Sequence, residues 1–222
     1  MSKHIVKVLE TEMLTHNVKR FRTEKPAGFI FTPGQATELA INKPQLQNEF
    51  RPFTFTSLPQ ENTLEFIIKI YTGHNGVTEK MLDVNKGDEL ILNDVFGTIS
   101  YHGPGLFIAA GAGITPFIAI FRNLYPQQAL AGNKLLFANR TEEDIILKNE
   151  LKEMLGGHYY DVIEKGKDEN AAPLFINKKM LSDNLCKSAP YCYICGPEKF
   201  TAMMADYLLE LGVEKSFIIT EQ

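Results

Sequence analysis

Period-two alternation of apolar and polar residues dominates the first hundred positions. It marks strands at His4–Val8, Val18–Thr23, Ala36–Ile41 and Leu64–Ile70, with shorter runs at Glu89–Leu92 and Thr98–Tyr101. Turn signals such as Pro33-Gly34, Thr72-Gly73 and Lys86-Gly87-Asp88 separate them. Thr78–Val84 is the one stretch of this half that reads as helix. Many short strands at even spacing predict an antiparallel β-barrel or sandwich. The rhythm changes after Tyr101-His102-Gly103-Pro104-Gly105. Apolar runs at Leu106–Ala110, Leu135–Asn139, Tyr159–Ile163, Tyr191–Cys195 and Ser216–Ile219 now alternate with helical stretches at Pro116–Leu124, Glu142–Met154, Asn177–Asn184 and Glu198–Leu211. Strand–helix alternation predicts a parallel sheet with helices on both faces. The expected organisation is a barrel over residues 1–102 and a nucleotide-type α/β domain over 103–222.

Composition narrows the chemistry. The net charge is −4 with no run of like charge, which argues against a nucleic-acid partner, whose footprint would be a basic stripe. The three cysteines, an odd number in a chain this long, argue against a disulfide framework, and a reducing compartment fits. The N-terminus alternates and carries no long apolar run, so no signal peptide is expected. No stretch approaches the ~20 apolar residues of a membrane span. The expected location is the cytoplasm.

Three segments carry candidate chemistry. Gly111-Ala112-Gly113-Ile114-Thr115-Pro116 follows a strand too apolar to have a wet face. Glycines at the carboxyl end of such a strand allow positive φ and close approach of a phosphate. Thr115 is read as the helix N-cap and Pro116 as the first helical residue, where a missing N–H costs nothing. The free N–H groups would then face an anion. An ordinary strand-to-helix turn would use the same residues. The second segment is Arg51-Pro52-Phe53-Thr54-Phe55-Thr56-Ser57. Arg51 suits bidentate pairing with phosphate, Phe53 offers a flat ring, and Thr54 and Ser57 offer hydroxyls. On a strand, Arg51 and Thr54 point to opposite faces, so one ligand touching both must wrap the strand's end or edge. The third segment is Cys195-Gly196-Pro197, another strand end that launches a helix. Cys192 and Cys195 also point to opposite faces, which disfavours a redox dithiol, and no further ligands make a metal site. Cys186 has no evident role.

Together and in this order, these segments resemble the ferredoxin–NADP reductase-like flavoproteins over nearly the whole chain. The resemblance rests on Arg51-Pro52-Phe53-Thr54 with Ser57, on Gly111–Pro116 and on Cys195-Gly196-Pro197. The Thr32–Leu39 lead-in and the Gly76–Met81 segment look similar too. It implies an N-terminal FAD-binding antiparallel barrel and a C-terminal Rossmann-like NAD(P)-binding domain. By that resemblance Arg51 pairs with the FAD pyrophosphate, Phe53 lies against the flavin ring, and Thr54 bonds near its N5. Lys69 and the Gly76-Val77-Thr78 helix start hold flavin phosphate and ribityl groups. Thr115 and Cys195 bracket the nicotinamide. Phe53 stands where tyrosine is more usual, Thr54 where serine is, and the Ser216–Gln222 tail has no terminal aromatic. Glu221 matches an acidic residue that some relatives place near the flavin. Arg140 and Lys165 are placed for a 2′-phosphate, whereas Glu142 and Asp144 favour NADH. The implied activity is hydride transfer from NAD(P)H to FAD, then electron transfer to a separate acceptor, a flavodoxin or ferredoxin or a small molecule. The alternatives are a non-catalytic FAD- and nucleotide-binding subunit that needs a partner enzyme, and a flavin-free nucleotide sensor.

Overall fold

The computed structural model of the chain describes residues 3–73, 76–165 and 174–221, so Gln222 of the tail lies outside the described residues. The first half holds β1 (His4–Thr15), β2 (Val18–Glu24), β3 (Ala36–Ile41), β4 (Arg51–Thr54), β5 (Thr63–Lys69) and β6 (Glu89–Phe96). They form an antiparallel six-stranded sheet in the order β4-β3-β6-β1-β2-β5. The sheet curls until its two edges meet. Phe55, just beyond β4, bridges Phe66 of β5, and the Thr56 N–H donates to the Glu65 carbonyl at 2.9 Å. Alternate residues point inward and make the barrel core, including Phe21, Leu39, Phe55, Leu64, Phe66 and Ile68. A short helix α1 (Val77–Lys80) runs on as a 3₁₀ turn over Met81–Asp83 and plugs that core with Val77 and Met81. The buried Lys19 ammonium ties the turn down through the Leu82 and Val84 carbonyls at 2.8 and 2.6 Å.

The second half is a parallel sheet. β7 (Gly105–Ala110), β8 (Lys134–Asn139), β9 (Tyr159–Ile163), β10 (Tyr191–Cys195) and β11 (Ile218–Thr220) lie in the order β11-β10-β7-β8-β9. Helices α2 (Thr115–Leu124) and α3 (Lys148–Leu155) cover one face; α4 (Lys178–Asn184) and α5 (Glu198–Glu210) cover the other. Asn177 caps α4 by accepting the Met180 N–H at 3.0 Å. Strand order reverses at β7, and in open sheets a ligand crevice opens at that point.

The halves share one core. Val18, Ile67 and Ile99 from the first half are buried with Phe107, Phe117 and Phe121 of the second. All five central residues of β5 are buried because the barrel covers one face and the second lobe the other.

Several elements depart from the pattern reading. β1 and β6 run longer than expected, because bulges at Val8/Glu10 and opposite Thr37/Leu39 interrupt the period of two. Thr98–Tyr101 is not a strand. Its alternation serves packing instead: Ile99 enters the second core and Tyr101 stacks near Phe107 and Tyr193. The Glu142–Met154 helix is broken. Thr141 and Asp144 form a capping box around a single 3₁₀ turn, Ile145 and Ile146 enter the core, and Leu147 turns left-handed (φ 51°) before α3 begins. Ser216 and Phe217 fall in a 3₁₀ turn that precedes β11.

The fully buried Tyr193 fastens the connector between the halves. Its hydroxyl accepts the N–H groups of His102 and Gly103 at 2.9 and 3.1 Å and donates to the Gly103 carbonyl at 2.8 Å. Burial pushes the phenol up to about 12. Tyr193→Phe removes the partner of two part-buried amides, and urea unfolding should show a loss of about 0.5–1.5 kcal/mol.

Candidate functional site

A cleft of about 740 Å³ opens between β4 and β5 of the barrel and the carboxyl ends of β7, β8 and β10. From the barrel side it is lined by Arg51, Pro52, Phe53, Thr54, Lys69 and Thr78. β4 is an edge strand, so residues from both of its faces reach the same space. Arg51 is about half exposed; its guanidinium donates to the Phe50 carbonyl at 2.6 Å and lies 3.6 Å from Glu49. Thr54 is nearly buried at the cleft wall.

From the other side come Gly111, Gly113, Thr115, Cys195, Gly196 and Pro197, with Arg140 and Glu221 at the margins. Gly111 has φ +53°, the left-handed region that glycine tolerates. The Lys69 ammonium reaches across to it, 3.9 Å from where a β-carbon would lie. Gly113 is needed for a different reason. A β-carbon there would sit 2.3 Å from the Cys195 carbonyl oxygen, so the two glycine loops pack backbone to backbone. Close approach at this second glycine is therefore between loops.

Thr115 is not an N-cap. Gly111–Ile114 form a 3₁₀ turn that runs directly into α2, Thr115 has helical φ/ψ, and its hydroxyl donates to the Ala112 carbonyl at 3.0 Å. The start of the helical segment thus moves back to Ala110, and Pro116 is buried behind the loop rather than in the cleft. Other expected residues, Glu142 among them, fall outside the cleft. Ser57 is fully buried, its oxygen accepting the Glu65 N–H at 3.0 Å. Val77 packs into the barrel core. Gly76 is the backbone cap of α1, its carbonyl accepting the Glu79 N–H, with no capping hydroxyl. Lys165 stays outside, but its N–H donates to the Arg140 carbonyl at 2.8 Å. Asp144 lines the cleft with its carboxylate already engaged by the Thr141 hydroxyl and N–H.

Cys192 and Cys195 lie in the cores on opposite faces of the sheet. Burial, reinforced by Glu221, pushes the Cys195 thiol far up, so it stays protonated; Sγ lies 3.7 Å from Glu221 Oε2. Burial alone raises Cys192 to about 12. Cys186 is exposed, and its pKa is lowered by the Ser188 hydroxyl.

Sequence reading missed Asn139, which ends β8 at the cleft. It is buried, and neither end of its amide has a hydrogen-bond partner among the described residues. A polar residue closing an apolar strand was the available signal. A cationic fork, two helix starts, a half-buried aromatic ring, wall hydroxyls and an orphaned amide fit ligands with both phosphates and flat rings. No group of three or more metal-binding side chains occurs among the described residues. No described helix is long and apolar enough to cross a membrane.

A barrel and a parallel sheet that each supply one wall of such a cleft define a two-lobed flavin- and nicotinamide-dependent oxidoreductase. The chain belongs to the ferredoxin–NADP reductase-like family. Residues 3–105 match the FAD-binding domain model and residues 107–206 the oxidoreductase NAD-binding domain model. NADH-cytochrome b5 reductase 2 of Rattus norvegicus is 26% identical over 99% of this chain and 94% of its own length. The ferredoxin–NAD(P)(+) reductase component of the naphthalene 1,2-dioxygenase system of Pseudomonas putida is 25% identical over 96% of this chain and 67% of its own. The CS-b5R domains of human Ncb5or in the NAD+ form superimpose with a TM-score of 0.82 at 25% identity, covering all of this chain and 70% of that one.

Alkylation of the native protein with iodoacetamide at mildly alkaline pH should modify Cys186 and spare Cys192 and Cys195. Peptide mass spectrometry checks this, and rapid labelling of Cys195 contradicts the burial described.

Proposed function

We propose that this FAD-dependent NAD(P)H oxidoreductase delivers electrons to a separate one-electron carrier of the ferredoxin, flavodoxin or cytochrome b5 type. Two relatives named for reducing cytochrome b5 and ferredoxin support an acceptor of this kind. In this reading residues 1–102 hold FAD and 103–222 hold the nicotinamide nucleotide. When bound, the flavin supplies two-electron acceptance from a nicotinamide and one-electron release to an acceptor.

The chain's own residues supply binding and alignment. Arg51 and Lys69 neutralise the FAD phosphates, with Arg51 exchanging its Glu49 contact for the anion. Phe53 supports the ring from the β4 edge, and Thr54 orients it by a hydrogen bond. Thr78 reaches the ribityl side. The Gly111–Thr115 turn and the Gly196-Pro197 start of α5 present backbone N–H groups to the nicotinamide nucleotide. Cys195 offers a neutral, protonated thiol against the nicotinamide ring, and Glu221 beside it holds or relays a proton. Asn139 is a polar anchor for the same nucleotide. Arg140 reads its ribose, with a 2′-phosphate as the favoured partner. One observation carries this reading: Thr54 of one lobe and Thr115 and Cys195 of the other line a single cleft.

The test is the visible spectrum of the purified protein, followed by anaerobic titration with NADH and NADPH. A flavin spectrum that bleaches supports the proposal. A flavin spectrum that neither nucleotide bleaches identifies a binding subunit, and failure to take up FAD removes the assignment. Arg51→Ala should weaken FAD binding at least about tenfold, the scale of one charge-assisted hydrogen bond, read by fluorescence of released flavin. Arg140→Ala should lower the NADPH-over-NADH ratio of kcat/KM; an unchanged ratio removes Arg140 from cofactor choice.

A further inference from the structure

The outward face of β5 meets the second lobe at three heights. Glu65, Ile67 and Lys69 alternate along that face. Lys69 stands against Gly111 at the cleft, Ile67 is buried in the shared core, and Glu65 meets Arg122 at the far end. Arg122 lies seven residues beyond Thr115 on α2, two turns along the same side of the helix. Its guanidinium is almost fully used. Nη1 donates to Glu65 Oε1 at 2.7 Å and to the Thr56 carbonyl at 2.9 Å; Nε and Nη2 donate to Glu150 of α3 at 2.5 and 3.0 Å. Glu65 is nearly buried and also accepts the Thr56 hydroxyl at 2.9 Å. Arg20 and Arg22 approach its other oxygen at 4.0 and 3.6 Å.

Thr56 lies two residues beyond Thr54, and Thr115 begins the helix that carries Arg122. One guanidinium therefore joins the strand that walls the cleft in one lobe to the helix that walls it in the other. Neither Arg122 nor Glu65 lines the cleft. A buried pair of this kind adds little stability over an apolar pair of the same shape. Its hydrogen bonds are directional, and what they fix is relative placement.

We infer that Arg122 and Glu65 are positioning residues that set the orientation of the flavin lobe against the nicotinamide lobe, and thereby the alignment for hydride transfer. The inference rests on the function proposed above. Misplacement by about 1 Å at such a site costs on the order of a hundredfold in rate, so a loosened seam is costly even when both cofactors still bind.

The experiment replaces the pair with apolar residues, Glu65→Leu with Arg122→Met, and compares it with the parent and with Glu65→Gln. Spin labels at Ile5→Cys and Lys179→Cys, in a Cys186→Ser background, report the distance between lobes by pulsed electron paramagnetic resonance. The expected result for the double variant is a folded protein with FAD affinity within about twofold of the parent, a broadened distance distribution, and flavin reduction at saturating NADH or NADPH slowed at least about tenfold. Glu65→Gln should show smaller changes in the same direction. A distance distribution as narrow as the parent's overturns the inference, as does a slowing that merely tracks lost FAD affinity. If the double variant does not fold, the near-isosteric Glu65→Gln decides by the same two measurements. If neither nucleotide bleaches the parent, the functional reading fails, while the distance distributions still decide whether the pair orients the lobes.

Discussion

One carboxylate, that of Glu65, stands at the seam on which the molecule depends. Taking it out of water is expensive, and burial alone raises its pKa. The charge and hydrogen bond of Arg122, the Thr56 hydroxyl and Arg20 outweigh that cost and hold it below the ordinary carboxylate value. Arg122 is likewise held charged: its own burial works against it, and Glu150 and Glu65 more than offset that. Each charge is tolerable only while the others are in place. The barrel edge, the central helix of the second lobe and α3 therefore form one hydrogen-bonded unit at the base of the cleft.

The cleft follows from this arrangement together with strand order. Reversal at β7 splays the loops after β7 and β10 to the same end of the sheet, and the shared core presses β5 against them. An exposed pair of loops becomes a walled groove because the barrel closes its open side. The same apposition explains why Lys69, a barrel residue, reaches Gly111 of the other lobe.

Much of this was legible in the chain. Alternation located the barrel strands other than β4, apolar runs located the parallel ones, and Gly111-Ala112-Gly113 after such a run located the switch point. Other features were hidden for physical reasons. Bulges in β1 and β6 broke the periodicity, so those strands looked short. Thr98–Tyr101 alternates like a strand, but its apolar side faces the second lobe's core. Ser57 belongs to a recognisable motif, yet its hydroxyl is consumed by the Glu65 amide, a contact made across the barrel seam. Thr115 has the chemistry of a cap, and only the 3₁₀ turn before it shows that the helix has already begun. Arg122 and Glu65 are 57 residues apart, and no local pattern announces that they meet.

The contact between Gly113 and the Cys195 carbonyl has a mechanical consequence. Backbone meets backbone at Gly113, with only the Ala110 methyl and the Phe200 ring packed beside Gly196, so the tips of β7 and β10 are held as one block. A displacement of one tip is therefore passed directly to the other. Side chains at the outer margin of the groove, such as the exposed Arg140, lie outside that contact and can change without disturbing it.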